Sequence, residues 1–272
     1  MSKTTKHIAL DVDQDNIAII TIDLQDKGAN VLTAELIEEL STAVRHVAGM
    51  RELAGLIFRS GKPKQFIAGA DIDEILEIKD PIVGEEKARI GQDLMHAIEN
   101  LKIPSAAIIE GPCLGGGLEF ALACTYRIAS EQKEVTFALP EVKLGIIPGF
   151  GGTQRLPEII GLIGSLGLIT SGRNLNDKQA LSNGLIDDIG TRKLLLSIPK
   201  KWLNRGVCPR KTRRRKTIQA FMEDFPLTRK IIFKSARKKI FKATQRQYPA
   251  PVRALEVIEK TYRMDDPYRN DL

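Results

Sequence analysis

Up to about Gly190, short apolar runs alternate with stretches of helical period, and this alternation constrains the fold most. Ile8–Val12 and Ile17–Ile22 read as a strand pair joined by the polar DQDN turn. Thr33–Val47 has apolar residues at helical spacing. Leu56–Phe58, Ser105–Ile109, Arg127–Ala129 and Val135–Ala138 read as short strands, the last stopped by Pro140. Between them lie a helix capped by Asp71, a long helix over Glu85–Leu101, and a helix opened by Gly115–Gly117 that runs to about Cys124. Thr153–Thr170 reads as a helix bent around Gly161 and Gly164, and Asp177–Asn183 as a short helix stopped by Gly184. The class is α/β, with a first domain over residues 1–190. Residues 191–272 form a basic linker and helices, with Lys200–Lys216 as a connector and helices over Leu227–Thr244 and Pro251–Tyr262.

The net charge of +7 suggests a nucleic-acid or membrane partner, but it is unevenly placed. Residues 200–246 hold 17 Lys and Arg against 2 Asp and Glu, so the rest of the chain is acidic, near −8. RKTRRRK at 210–216 has no interleaved aromatics, which disfavours base stacking, and specific nucleic-acid binding is not the expected function. Cys113, Cys124 and Cys208 form neither a disulfide framework nor a zinc spacing. The first residues carry Asp11, Asp13 and Asp15 and no apolar core of a signal peptide. The longest uncharged stretch, residues 159–172, is too short to span a bilayer, so a transmembrane segment is not expected and a cytoplasmic setting is.

Two carboxylates stand in apolar surroundings. Glu119 lies in GGGLEFALAC, apolar on every helical face and without a basic residue within seven positions. A charge buried there costs several kcal/mol unless it is paired or neutral. Glu119 fits a core residue bonded to local backbone, and better a carboxylate at a helix N-terminus with a pKa set for proton transfer. Glu141 follows Pro140 in FALPEVKLGIIPGFGG, and fits either a solvent-facing turn residue or the partner of Glu119 in acid–base work. The small residues of FIAGADI at 66–72 permit close backbone approach to a ligand, and Asp71 fits a helix cap. The N–H groups of Ala70 and Gly116 could together form an oxyanion hole. The glycine run matches neither a Rossmann nor a Walker loop, and Glu110, before a Gly-Pro turn, reads as structural.

FIAGADI, IEGPCLGGGLEFALAC and LPEVKLGIIPGFGGTQRLP, in that order, resemble the signature of the crotonase (enoyl-CoA hydratase/isomerase) superfamily over about residues 6–190. The later QRQYPAPVRALEVIE extends the resemblance to the N-terminal part of bacterial fatty acid oxidation complex α subunits. It implies a crotonase-like spiral of ββα units followed by C-terminal linker helices. It also implies hydration of trans-2-enoyl-CoA to 3-hydroxyacyl-CoA in fatty acid β-oxidation, with Δ3/Δ2-enoyl-CoA isomerisation as a second activity.

Carried over by position, Ala70 and Gly116 hold the thioester oxygen through their N–H groups. Glu119 activates the water, Glu141 delivers the proton to C2, and Gly149 contacts the site near the water. Ala68, Asp71, Ile72 and the Lys27–Ala29 loop, with Ala29, follow the CoA. The resemblance implies no metal and no cofactor, CoA being the substrate carrier. NAD is not expected, because the dehydrogenase region of those α subunits has no counterpart before Leu272. As partners it implies a thiolase β subunit in a full-length complex or a homo-oligomer. The competing readings are another crotonase-type CoA reaction (isomerase or hydrolase only), an acyl-CoA-binding scaffold without turnover, and nucleic-acid binding through 200–246.

Overall fold

The structure, a computed structural model, describes residues 3–205, 223, 225–245 and 247–262. Its main sheet has seven strands in the order β1 (Lys3–Thr4), β2 (Ile8–Val12), β3 (Ile17–Ile22), β4 (Gly55–Ser60), β5 (Ser105–Ile109), β7 (Tyr126–Ser130) and β10 (Asp188–Gly190). β1–β2 and β2–β3 pair antiparallel, and every pairing from β3 onward is parallel. A second sheet holds β6 (Pro112–Leu114), β8 (Thr136–Ala138) and β9 (Leu175–Asn176). Parallel neighbours need crossovers, and the helices supply them. α1 (Ala34–Ala48) joins β3 to β4, α2 (Ile72–Leu76) and α3 (Pro81–Glu99) join β4 to β5, and α4 (Gly116–Ala123) leads from β6 into β7.

The sequence chemistry accounts for these elements. Thr33 caps α1 by accepting from Leu36 N, and Leu36, Ile37, Leu40, Val44 and Val47 bury one face. α3 starts earlier than expected, at Pro81 after the cap Asp80, because its first turn exposes Ile82 and Val83 and so lacks a buried stripe. The bend expected at Gly161 and Gly164 occurs at Gly161 alone, which separates α5 (Gly152–Ile160) from α6 (Leu162–Ile169). Gly161 takes φ 84, a conformation open to glycine at little cost, whereas Gly164 stays helical. α7 (Asp177–Asn183) has the capping box of Asn176 and Gln179 and ends at Gly184.

The connector reading is corrected at its start. Lys200–Arg205 end α8 (Ser197–Arg205), which Trp202 and Leu203 anchor to a second core cluster with Tyr126 and Ile128. The rest of that stretch, with RKTRRRK and Cys208, lies outside the described residues. Cys113 and Cys124 are buried free thiols, and Glu110 is paired with Arg192. Beyond them, α9 (Pro226–Thr244) contributes Phe233 and Ile240 to the main core, and α10 (Ala250–Thr261) contributes Ala254, Leu255 and Ile258. α10 packs against α5 and the turn at Glu141, so the C-terminal helices reach the carboxylates picked out above.

Arg127 fastens α4 to the sheet. The residue is 1% exposed, its side chain donating to Leu185 O at 2.7 Å and Cys124 O at 2.7 Å, with Asp187 beside it. Replacing it by Met would leave the Leu185 and Cys124 carbonyls without their donor and strip Asp187 of its guanidinium, though Asp187 would keep the backbone N–H of residue 127. An Arg127→Met chain is therefore expected to lose about 3–5 kcal/mol of stability, read from its denaturant midpoint.

Candidate active site

α4 is buried along its whole length, which is why its apolar positions show no stripe. Gly115 enters it with φ 50, and its N–H donates to Ala138 O at 2.9 Å, which ties the helix start to the strand before Glu141. The loop 66–71 lies alongside. Leu114 N donates to Ile67 O, and a Cβ on Gly115 would come within 3.8 Å of Gly69 Cα. Ala70 bridges Leu32 in parallel, through Leu32 N to Gly69 O and Asp71 N to Leu32 O. That pattern leaves Ala70 N–H unused, and Gly116 N–H, in the first turn of α4, has no helical acceptor. Two unused backbone donors thus stand on neighbouring segments, one on the 66–71 loop and one at the start of α4, the kind of pair an oxyanion hole uses.

Glu119 is 1% exposed, and its Oε1 accepts from Gly152 N at 2.7 Å and Phe150 N at 2.8 Å. Burial raises its pKa to about 7, while those two N–H groups and the charge of Arg155 oppose the rise. Glu141 opens the 3₁₀ turn Glu141–Leu144 and is buried. Its Oε1 lies beside the Gly115 backbone, and its Oε2 has no hydrogen-bond partner. Burial, and then the charge of Glu119, raise it to about 8. The turn-residue reading of Glu141 as solvent-facing therefore fails, because its turn packs against α10 and buries the side chain. A base that ionises first beside an acid that keeps its proton suits the transfer of protons to and from one small reactant.

Gly149 adjoins Phe150, so it belongs to the same group as Glu119, Glu141, Ala70 and Gly116. The remaining expected contacts form an outer rim. Ala68 is exposed and donates to Asn30 O, beside half-buried Ala29, and Ile72 is 52% exposed. Asp71 caps α2 by accepting from Asp73 N and forms an ion pair with Lys27, whose ammonium holds its carboxyl below the usual range. The Asp71 carboxyl and its N–H are thus both already bonded within the protein.

Sequence reasoning missed Phe150 and Gly152, which act through backbone N–H groups that side-chain patterns do not reveal. It also missed Arg155, 5% exposed, which donates to Phe150 O at 2.9 Å and to Glu99 at 3.0 Å. Among the described residues, His7, Glu35 and Glu39 form a cluster with metal-ligand atoms. His7 Nδ1 accepts from Gln25 N, so Nε2 carries the proton toward Glu35, which also pairs with Lys6. That arrangement is a satisfied hydrogen-bond network.

A family model described as enoyl-CoA hydratase/isomerase matches residues 14–255. An enoyl-CoA hydratase from Bacillus anthracis is similar at 26% identity and TM-score 0.68, over 93% of this chain and 96% of its own. DspI of Pseudomonas aeruginosa is similar at 25% identity and TM-score 0.68, over 90% and 91%. An enoyl-CoA hydratase from Geobacillus kaustophilus, 23% identical with TM-score 0.70 over 98% and 92%, shares the fold.

Proposed function

This chain belongs to the enoyl-CoA hydratase/isomerase family, and from that premise we propose that it adds water across the double bond of trans-2-enoyl-CoA thioesters. The observation that carries the proposal is the pair of buried carboxyls: Glu119 near 7 on two backbone donors, and Glu141 near 8 with an open oxygen.

In this reading the thioester oxygen accepts from Ala70 and Gly116 N–H. Charge grows on that oxygen as water attacks C3, so fixed donors stabilise the transition state more than the bound substrate. Glu119 takes a proton from the water whose oxygen bonds to C3, and the Glu141 carboxyl gives its proton to C2. Proton exchange with solvent returns both groups to their starting forms. Gly149 borders the water position, and the backbone around Ala68 and Asp71–Ile72, with the Lys27–Ala29 loop, follows the CoA. The unpartnered Glu141 oxygen also favours a second activity, in which Glu141 alone moves a proton between C4 and C2 of a 3-enoyl-CoA.

The pH profile of crotonyl-CoA hydration tests the assignment. Below its acid limb Glu119 is protonated and cannot accept. Above its alkaline limb Glu141 is ionised and cannot donate. The expected kcat/KM profile is a narrow bell with limbs near 7 and 8. A profile flat from about pH 6 to about pH 9 would remove both roles.

A further inference from the structure

The peptide between Gly149 and Phe150 is held from both ends. Its N–H, on Phe150, donates to Glu119 Oε1 at 2.8 Å, and its carbonyl, on Gly149, accepts from Gln92 Nε2 at 2.8 Å. A carbonyl can only accept, so the Gln92 amide must present its NH₂ group. The next carbonyl, on Phe150, is taken by Arg155, which Glu99 orients. Both Gln92 and Glu99 stand on α3, which the sequence marked only as a long helix. The same helix supplies Gly91, where any side chain would collide with the Phe150 ring, and a Cβ on Gly116 would also crowd that ring at 3.2 Å. Phe150 is therefore fixed through its ring, its N–H and its carbonyl.

We propose that Gln92 is a positioning residue for Glu119: its grip on the Gly149 carbonyl sets the plane of the 149–150 peptide and keeps the Phe150 N–H aimed at the carboxylate. A donor on the carbonyl also polarises the amide, so the N–H at the other end bonds a negative oxygen more strongly. The Gln92 amide thus favours the ionised form of Glu119 from two bonds away, opposing burial. The charges that reach Glu119 are those of Arg155 on α5 and Glu141 on the 3₁₀ turn, and Gln92 adds none. The role rests on the reading of Glu119 as the hydration base.

Gln92→Met keeps length and volume without a donor, and Gln92→Glu keeps a polar head without one at neutral pH. Both are expected to move the acid limb of the hydration profile alkaline, with kcat lower by about three- to tenfold and KM nearly unchanged. Each variant is paired with a carboxyl titration of the Glu119 side chain by ¹³C NMR in a Glu141→Gln background, its signal assigned by loss in Glu119→Gln. A rise of the Glu119 pKa in Gln92→Met supports the inference. An unmoved pKa and acid limb in a folded Gln92→Met chain overturns it, even if Gln92→Glu shifts through its own charge. Absence of hydration by the unmodified chain would defeat the hydratase reading instead, and the titration would still report on Gln92.

Discussion

Glu119→Gln is expected to lower crotonyl-CoA hydration by about 10²- to 10⁴-fold, the usual contribution of a positioned acid–base group. The amide oxygen can still accept from Phe150 N and Gly152 N, so the 149–152 loop keeps its anchor and only the proton acceptor is lost. Stability should move the other way. Burial raises the Glu119 carboxyl from 4.5 to about 7, so between those values the folded chain holds a proton that the unfolded chain has lost. Folding stability therefore falls as pH rises through that window, and a neutral Gln removes the fall. A variant less active yet more stable at pH 8 separates loss of a base from loss of structure. Isomerisation of a 3-enoyl-CoA through Glu141 should survive in part. Hydration at the unmodified rate would refute the role of Glu119.

The second large effect is expected at Gly117, the residue after the Gly116 donor. A Cβ there would collide with the Ile67 carbonyl oxygen and come within 2.9 Å of Ile67 Cβ. The obstacle is backbone, which cannot swing aside as a flexible side chain can. Gly117→Ala must push the 66–71 loop away from α4 and so draw the Ala70 N–H away from the Gly116 N–H. The expected cost is about 1–3 kcal/mol of stability. With one donor misplaced, kcat should fall by about 10²- to 10³-fold. Gly167→Ala is the control, since a Cβ on that helical glycine meets nothing within 4 Å. That change should be neutral or slightly stabilising, with activity intact. Equal losses at both positions, followed by crotonyl-CoA turnover and denaturant unfolding, would show that the Gly117 packing has no special part in the site.

Much of this was legible in the sequence because each signal is local. Thr33, Asn176 and Gly184 punctuate helices through their own side chains or conformations, and the β-rich runs at Ile8–Val12 and Ile17–Ile22 needed no distant information. Glu119 and Glu141 stood out because a carboxylate in an apolar run is costly. What could not be read depends on contacts between distant segments. Glu119 is stabilised by N–H groups 31 and 33 positions away, and backbone donors have no residue-type signature. Gln92 lies 57 positions from Gly149, in a helix whose pattern speaks only of burial. Asp71 was rightly seen as a cap, but its pairing with Lys27 spans 44 positions and shows only in the folded chain.

The most direct test of the central claim is the fate of crotonyl-CoA in buffered D₂O. Hydration by the Glu119–Glu141 pair predicts 3-hydroxybutyryl-CoA carrying one deuterium at C2, delivered from Glu141 after exchange with solvent, and almost none from Glu119→Gln. Unchanged crotonyl-CoA, or the same labelled product at equal rates from both chains, would contradict it.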